Sequence, residues 1–408
     1  MDFKYERLLE ALRCAAHGEQ VQWQEPLSKQ DQHAIFSLAA EHSVVPMLAE
    51  AVYCCPAALS GGYNTRILSI AARRLTVAQA QRTADLILVY RYLAERGLEP
   101  IVLKGIICRS LYPQPCQRPS IDEDLLIPKE AFAEYHKAML AYGLEPFGEI
   151  DDPESADEAA YKSKDGSIYI ELHSNPLPGD SKAYGSLNSV FTDSGKNTVI
   201  ECINGCAFRT LSPTDHLLYL ILHAYKHFLH GGFGIRMVLD IAIFADKKSN
   251  HIDFSRLLDT CRKLRIGKYS AALFKIGEKH LGFGFPDAFR EYDCDEMPLL
   301  EDIMSGGLYG VEDINRAHSS TMTLNAVETS NKGKRRHCAL HSVFLPAKSL
   351  EGRYTYLKKH RSLLPVAWVQ RGFTYAFKKT NGKTAKPSES IRIGNERIAL
   401  LRHYGIID

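Results

Sequence analysis

The sequence predicts an α+β fold, a small mixed-sheet core flanked by N-terminal and C-terminal helical regions. Three observations lead there. Apolar residues recur at helical spacing through the first 97 of 408 residues, short apolar and alternating runs crowd into residues 98–208, and helical spacing returns afterwards. A composition of 45% hydrophobic and 24% charged residues allows a large buried core and excludes disorder as the dominant state. Four parts are expected: a helical region 1–97, an α/β core 98–208, a helical domain 209–330 and a basic segment 331–408.

In chain order, Leu8, Leu9, Leu12 and Ala15 form a helical stripe within Phe3–Ala16, and Ser28–Glu41 and Val45–Tyr53 repeat the pattern. A long helix is expected from Thr65 to Arg96, closed by Gly97 as a left-handed cap. Residues 99–103 are a short apolar strand ended by Lys104-Gly105, with a single helical stretch over Ile106–Tyr112. Pro113, Pro115 and Pro119 mark an irregular loop before a second strand, Ile121–Ile127. A helix follows over Lys129–Tyr142. The acid-rich stretch Glu149–Glu158 reads as a solvated loop. After Asp165-Gly166, residues 167–173 alternate with period two, as one strand of a hairpin does. From 209 onward, helices are expected at Thr214–Leu229, Ile235–Ala245, Phe254–Leu264, Tyr269–His280 and Met297–Met304, and Thr380–Ser390 reads as a flexible surface loop.

Charge is unevenly distributed. Residues 331–408 hold 17 Lys and Arg against 4 Asp and Glu, whereas the preceding 330 hold 33 against 44. A basic end on an acidic body implies an anionic partner or docking on the chain itself. Lys332, Lys334, Arg335, Arg336, Lys358, Lys359 and Arg361, interleaved with Tyr354, Tyr356 and Trp368, are the residues through which nucleic acid would bind. The ten cysteines include no CxxC pair, Cys202 and Cys206 being the nearest approach to one. With no apolar run of membrane-spanning length and no leader pattern, a cytoplasmic protein without a membrane partner is expected.

Chemistry is concentrated around Asp122 and Asp124. Two residues apart on a strand, they share one face, and like charges held side by side favour a cation between them. Hard oxygen ligands suit Mg²⁺ or Mn²⁺; solvated carboxylates on an edge strand are the alternative. Glu123 faces the other way. Gly105 directly after a strand lets backbone N–H groups approach an anion, with Lys104 beside it, and Arg118 is placed to clamp a phosphate. Glu171, on the alternating strand, supplies a third carboxylate, with His173 on the same face. This is the layout of two-metal nucleotidyl transfer. His216, His223, His227 and His230 share a helical face, from which His223, Lys226 and His227 would line a cleft or pack against the core. Arg236 and Asp240, at i and i+4, are spaced to pair with each other.

These residues fall in the segments Pro100-Ile-Val-Leu-Lys-Gly105, Leu111-Tyr-Pro113, Arg118-Pro-Ser-Ile-Asp-Glu-Asp-Leu-Leu-Ile127 and Ile170-Glu-Leu-His173. Together they resemble the family described as uncharacterised nucleotidyltransferases, within the DNA polymerase β-like nucleotidyltransferase superfamily, to which kanamycin nucleotidyltransferase is a distant relative. The resemblance extends to Leu222-His223, Lys226-His227 and Leu239-Asp240, and to Phe344-Leu-Pro346, Arg353-Tyr354 and Leu364-Pro365. The sequence departs from the wider superfamily in having Ile106 rather than Ser after Gly105, Asp122 a full 17 positions beyond Gly105, and Glu123 between the aspartates.

The resemblance implies a nucleotidyltransferase-like core and Mg-dependent transfer of a nucleoside monophosphate from an NTP, ATP in the first instance, to a hydroxyl acceptor with release of pyrophosphate. Asp122, Asp124 and Glu171 would be the catalytic, metal-holding carboxylates. Lys104, Gly105, Arg118, His173, His223, Lys226 and His227 would bind the nucleotide, with orienting Glu171 or a hydrogen bond in the core as the other readings of His173. The acceptor would be a small molecule, a protein or an RNA. The departures keep a second reading open, a catalytically inactive member acting as a nucleotide-binding or protein-interaction module.

Overall fold

The computed structural model describes residues 1–60, 63–148, 150, 152–193, 195–307, 314–331, 356, 360–368, 370, 379–380, 383–384 and 387–408. It divides into two compact units, Met1–Ala224 with Gly234–Met297, and Tyr225–Phe233 with Pro298–Asp408. Residues 1–97 and 98–208 both fall in the first.

In the first unit, four helices precede the sheet: α1 (Phe3–His17), α2 (Lys29–Glu41), α3 (Val45–Val52) and α4 (Tyr63–Ala94). Asp2 caps α1 by accepting from the Lys4 N–H, and Gly18 ends it in the left-handed region. The stripe of Leu8, Leu9, Leu12 and Ala15 is buried, as its spacing requires.

Seven strands form one mixed sheet: β1 (Ile101–Val102), β2 (Glu123–Leu126), β3 (Glu145–Pro146), β4 (Glu158–Lys162), β5 (Tyr169–His173), β6 (Thr198–Ile203) and β7 (Cys206–Leu211), in spatial order β3-β4-β5-β2-β1-β7-β6. β1 runs parallel to β7 and β2 parallel to β5, while the other neighbours are antiparallel. One face is closed by apolar side chains such as Leu125, Tyr161, Ile170 and Leu172, each buried. The opposite face carries Asp122, Lys162, Tyr169, Glu171 and His173, which are half-buried, and the buried Asp124. This alternation positions the site. Short α5 (Ile106–Ser110) follows β1, and α6 (Phe132–Tyr142) follows β2.

Strands β3, β6 and β7 are not anticipated above, and the hairpin partner of β5 is expected but not located there. That partner, β4 (Glu158–Lys162), has Ala159, Ala160 and Tyr161 in succession and so shows no alternation; it becomes a strand because β5 offers a hairpin edge across the turn at Asp165-Gly166. β6 and β7 form around Asn204-Gly205, where both residues take positive φ, a two-residue hairpin signal present in the sequence.

After the sheet come α7 (Pro213–His230), α8 (Ile235–Lys247), α9 (Phe254–Lys263), α10 (Gly267–Leu281) and α11 (Met297–Gly306), close to expectation. The second unit holds the C-terminal end of α7, nearly all of α11, and two further helices, α12 (Ile314–Asn331) and α13 (Pro387–His403). Pro387–Ser390 is the first turn of α13, not part of a surface loop, because Pro is well suited to a helix start. A short pair, β8 (Lys379–Thr380) and β9 (Lys383–Thr384), occupies the preceding stretch. Within this unit Asp302 pairs with Arg316 at 2.7 Å, and Arg316 and Arg397 donate to the Gly231, His230 and Phe228 carbonyls that end α7.

Lys332, Lys334, Arg335, Arg336, Tyr354, Lys358 and Lys359 lie outside the described residues. Tyr356 and Trp368 pack against buried Ala367, so these two rings serve a local apolar cluster. Among the described residues, no helix is long and apolar enough to cross a membrane.

Candidate active site

Parallel pairing of β2 with β5 sets Asp124 directly beside Glu171. Asp122 precedes β2 by one residue and shares the face of Asp124. Lys104, just after β1, reaches the same face. Its Nζ lies 3.0 Å from Asp122 Oδ2 and 3.1 Å from Asp124 Oδ2. The cation that the aspartate pair calls for is thus supplied in this structure by the chain's own ammonium group.

His173, two residues beyond Glu171, places Nε2 at 3.2 Å from Asp124 Oδ1 and 3.4 Å from Glu171 Oε2. Burial disfavours its imidazolium, but hydrogen bonds to the two carboxylates outweigh burial and raise its pKa to about 9. Burial likewise opposes ionisation of Asp122, and Lys104 more than compensates, holding that carboxyl well below the usual range. The carboxylates of Asp122, Asp124 and Glu171 therefore face the two cations, with a fourth, that of Glu158, 3.7 Å from His173 Nδ1.

Ligand atoms of Asp124, Glu171 and His173 all lie within 4.8 Å of one another, a spacing that one metal ion could bridge. Asp124 Oδ2 is buried and stands 3.1 Å from the Lys104 ammonium, and two carboxylates with a histidine beside them are a donor set that suits a divalent cation. His223 joins the cluster from α7, its Nε2 at 3.4 Å from Lys104 Nζ and its Nδ1 at 3.4 Å from the Tyr219 hydroxyl. Lys226 and His227 are half-buried, follow on the same helix and belong to the second unit.

Two nucleotide-binding expectations meet a different arrangement. Gly105 does allow close approach of an anion, but that anion is Glu123. Gly105 has φ +58°, and a Cβ there would stand 1.9 Å from Glu123 Oε2. The same oxygen accepts from the Ile106 N–H at the start of α5, and Oε1 accepts from Arg109 at 2.5 Å. Glu123 does face away from the aspartates, as strand alternation requires, and this buried pair fills the space where a phosphate was expected. Arg118 is also enclosed. It grips both oxygens of Asp240, at 3.0 and 2.5 Å, and the Tyr112 hydroxyl donates to the same carboxylate. Burial works against the Arg118 charge, yet Asp240 keeps its pKa well above the ordinary value. Arg236 does not pair with Asp240; it donates to the Pro119 carbonyl. A partner 122 residues away displaces the one four residues away because the loop before β2 packs on α8.

Sequence reasoning missed Tyr169 at the site, although its position two before Glu171 puts it on the same face. It also missed the supports of Glu123, namely Arg109, Ser120 and Gln79. No local signal marks those, since Gln79 lies on α4, 41 residues from the Ser120 N–H that donates to it.

A family model described as an uncharacterised nucleotidyltransferase matches residues 28–282, from α2 to the end of α10. No curated protein and no solved structure matches the chain.

Proposed function

The chain belongs to the uncharacterised nucleotidyltransferase family, and from that premise we propose that it transfers a nucleoside monophosphate from an NTP, ATP in the first instance, to a hydroxyl acceptor. The observation that carries this reading is the in-register pair Asp124 and Glu171, with Asp122 beside them on one face. Asp122, Asp124 and Glu171 would hold one or two Mg²⁺ or Mn²⁺ ions, and His173 is a further ligand when neutral. Such an ion, when bound, supplies charge neutralisation at the phosphoryl oxygens.

The chain's own groups do the rest. Lys104, cationic and 12% exposed in its side chain, is the group beside the aspartates able to attract the triphosphate. His223 stands next to it. The acceptor oxygen bonds to the α-phosphorus as the bond to pyrophosphate breaks, and the hydroxyl proton passes to a carboxylate of the cluster.

Calorimetric titration of ATP, with Mg²⁺ and with chelator, tests the donor half. Metal-dependent binding is expected in the wild type and its loss in an Asp122→Asn/Asp124→Asn double variant. Pyrophosphate release in an acceptor screen should vanish in either single variant while circular dichroism stays unchanged. Undiminished turnover in either would remove the assignment. Binding without turnover is the second reading. It is favoured by Glu123 filling the space over Gly105 and by Asp240 engaging Arg118, and it predicts metal-dependent ATP affinity with no pyrophosphate released under any acceptor.

A further inference from the structure

On the same sheet face, β5 and the two strands beyond it carry an aromatic ledge that none of the chemistry above uses. Phe147 follows β3, and its N–H donates to the Ala160 carbonyl on β4; Ala160 in turn pairs with Glu171. Phe147, Ala160, Glu171 and Asp124 therefore form one row across four neighbouring positions of the sheet. The adjoining row holds Lys162 opposite Tyr169. The Phe147 and Tyr169 rings meet edge to face, centroids 5.7 Å apart at 72°, and the Lys162 ammonium lies 5.5 Å from the Phe147 ring centre.

Three features make this ledge unlike ordinary surface. Phe147 is 61% exposed, whereas Phe132, Tyr135, Tyr161 and Phe208 around the same sheet are buried. In the row from Phe147 to Glu171 the intervening position is Ala160, whose side chain is a methyl group. The span is short: two strand spacings, about 10 Å, separate the backbone of Phe147 from that of Glu171. That is the reach of a ribose and its base from a phosphate held at the cluster.

We propose that the exposed Phe147 ring, braced edge to face by Tyr169 and with the Lys162 ammonium over it, is the stacking platform for the nucleobase of the bound NTP. This rests on the nucleotidyltransferase reading and adds to it the residues that hold the base and the character of base selection. Aromatic rings offer every base a π-face, so selection among bases is weak and follows stacking strength, purines binding ahead of pyrimidines. The Lys162 ammonium over the Phe147 ring adds a cation–π contact without reading a hydrogen-bond pattern.

The test compares inorganic tripolyphosphate with ATP, GTP, CTP and UTP, each titrated with Mg²⁺ into the full chain and into Phe147→Ala, Tyr169→Ala and Phe147→Trp. Tripolyphosphate reports the phosphate half alone. The proposal expects Phe147→Ala and Tyr169→Ala to weaken all four NTPs about tenfold or more, to leave tripolyphosphate unchanged, and Phe147→Trp to restore NTP affinity. If the wild type binds NTPs and both alanine variants bind them equally well, the ledge is not the base platform, and the nucleotidyltransferase reading stands without it. An equal loss for tripolyphosphate and NTPs also overturns it, by showing a general disturbance of the site. If the wild type binds neither tripolyphosphate nor any NTP, the underlying reading fails and takes the proposal with it.

Discussion

Gly105 is held by two independent constraints. Its φ of +58° with ψ −114° is a backbone state that side chains disfavour, and the space a Cβ would fill belongs to Glu123. Gly105→Ala should therefore lower unfolding free energy by about 2–5 kcal/mol, read as a shift in urea midpoint. The buried Arg109–Glu123 pair behaves differently. Arg109→Met leaves a fully buried carboxylate unpaired, at a cost of about 3–5 kcal/mol, and Arg109→Met/Glu123→Met should recover most of that. A double variant no more stable than the single one would show that the pair is not what holds the loop. Lys104 has a dual character, because it neutralises the aspartates that a metal would otherwise occupy. In Lys104→Met the metal-free protein should melt lower than wild type, and Mg²⁺ should raise its melting temperature more than it does the wild type's.

Among the elements, β2 and β5 shape the site most directly. Alternation alone said which residues of each strand share a face, so Asp122 with Asp124, and Glu171 with His173, were legible. That β5 lies parallel to β2, with Asp124 opposite Glu171, is not encoded in either strand's period; it depends on β5 reaching β2 as the inner strand of the β4–β5 hairpin. Helix α7 gives a second case. Its His216 is fully buried, with Nδ1 at 3.1 Å from the Thr210 hydroxyl and its ring 4.7 Å from that of Phe244. Burial drives its pKa down to about 3. The unfolded chain binds a proton there below about pH 6.5 while the folded chain does not, so stability should fall as pH drops from about 6.5 toward 3. The loss approaches about 1.4 kcal/mol per pH unit from this group. Chemical denaturation at pH 7, 6, 5 and 4 would measure it, and the slope should flatten in His216→Phe. The same helical spacing that suggested a ligand face thus contains one histidine at the carboxylate cluster, His223, and one in the core, His216.

For the whole molecule, the second unit shows how a chain end is tied down. Arg316 and Arg397, both largely buried, bring α12 and α13 onto the carbonyls at the end of α7, with Asp302 between them. Arg397→Met removes donors from the Phe228 and His230 carbonyls while Asp302 stays paired with Arg316, and should destabilise this unit by about 1–3 kcal/mol. Hydrogen exchange should show it as faster amide exchange in α11 and α13; unchanged protection there would mean that apolar packing alone holds the helices. The sequence by itself determined the α+β class, most helices, the D-x-D face and the acidic alternating strand, because periods of 3.6 and 2 report local burial wherever a residue sits. Only the tertiary structure decided partners: Lys104 between the aspartates, Glu123 under Gly105, Arg118 on Asp240 and Phe147 on Tyr169. A charged or aromatic side chain is matched by whatever the fold packs against it, often a hundred residues away, and no local spacing carries that information.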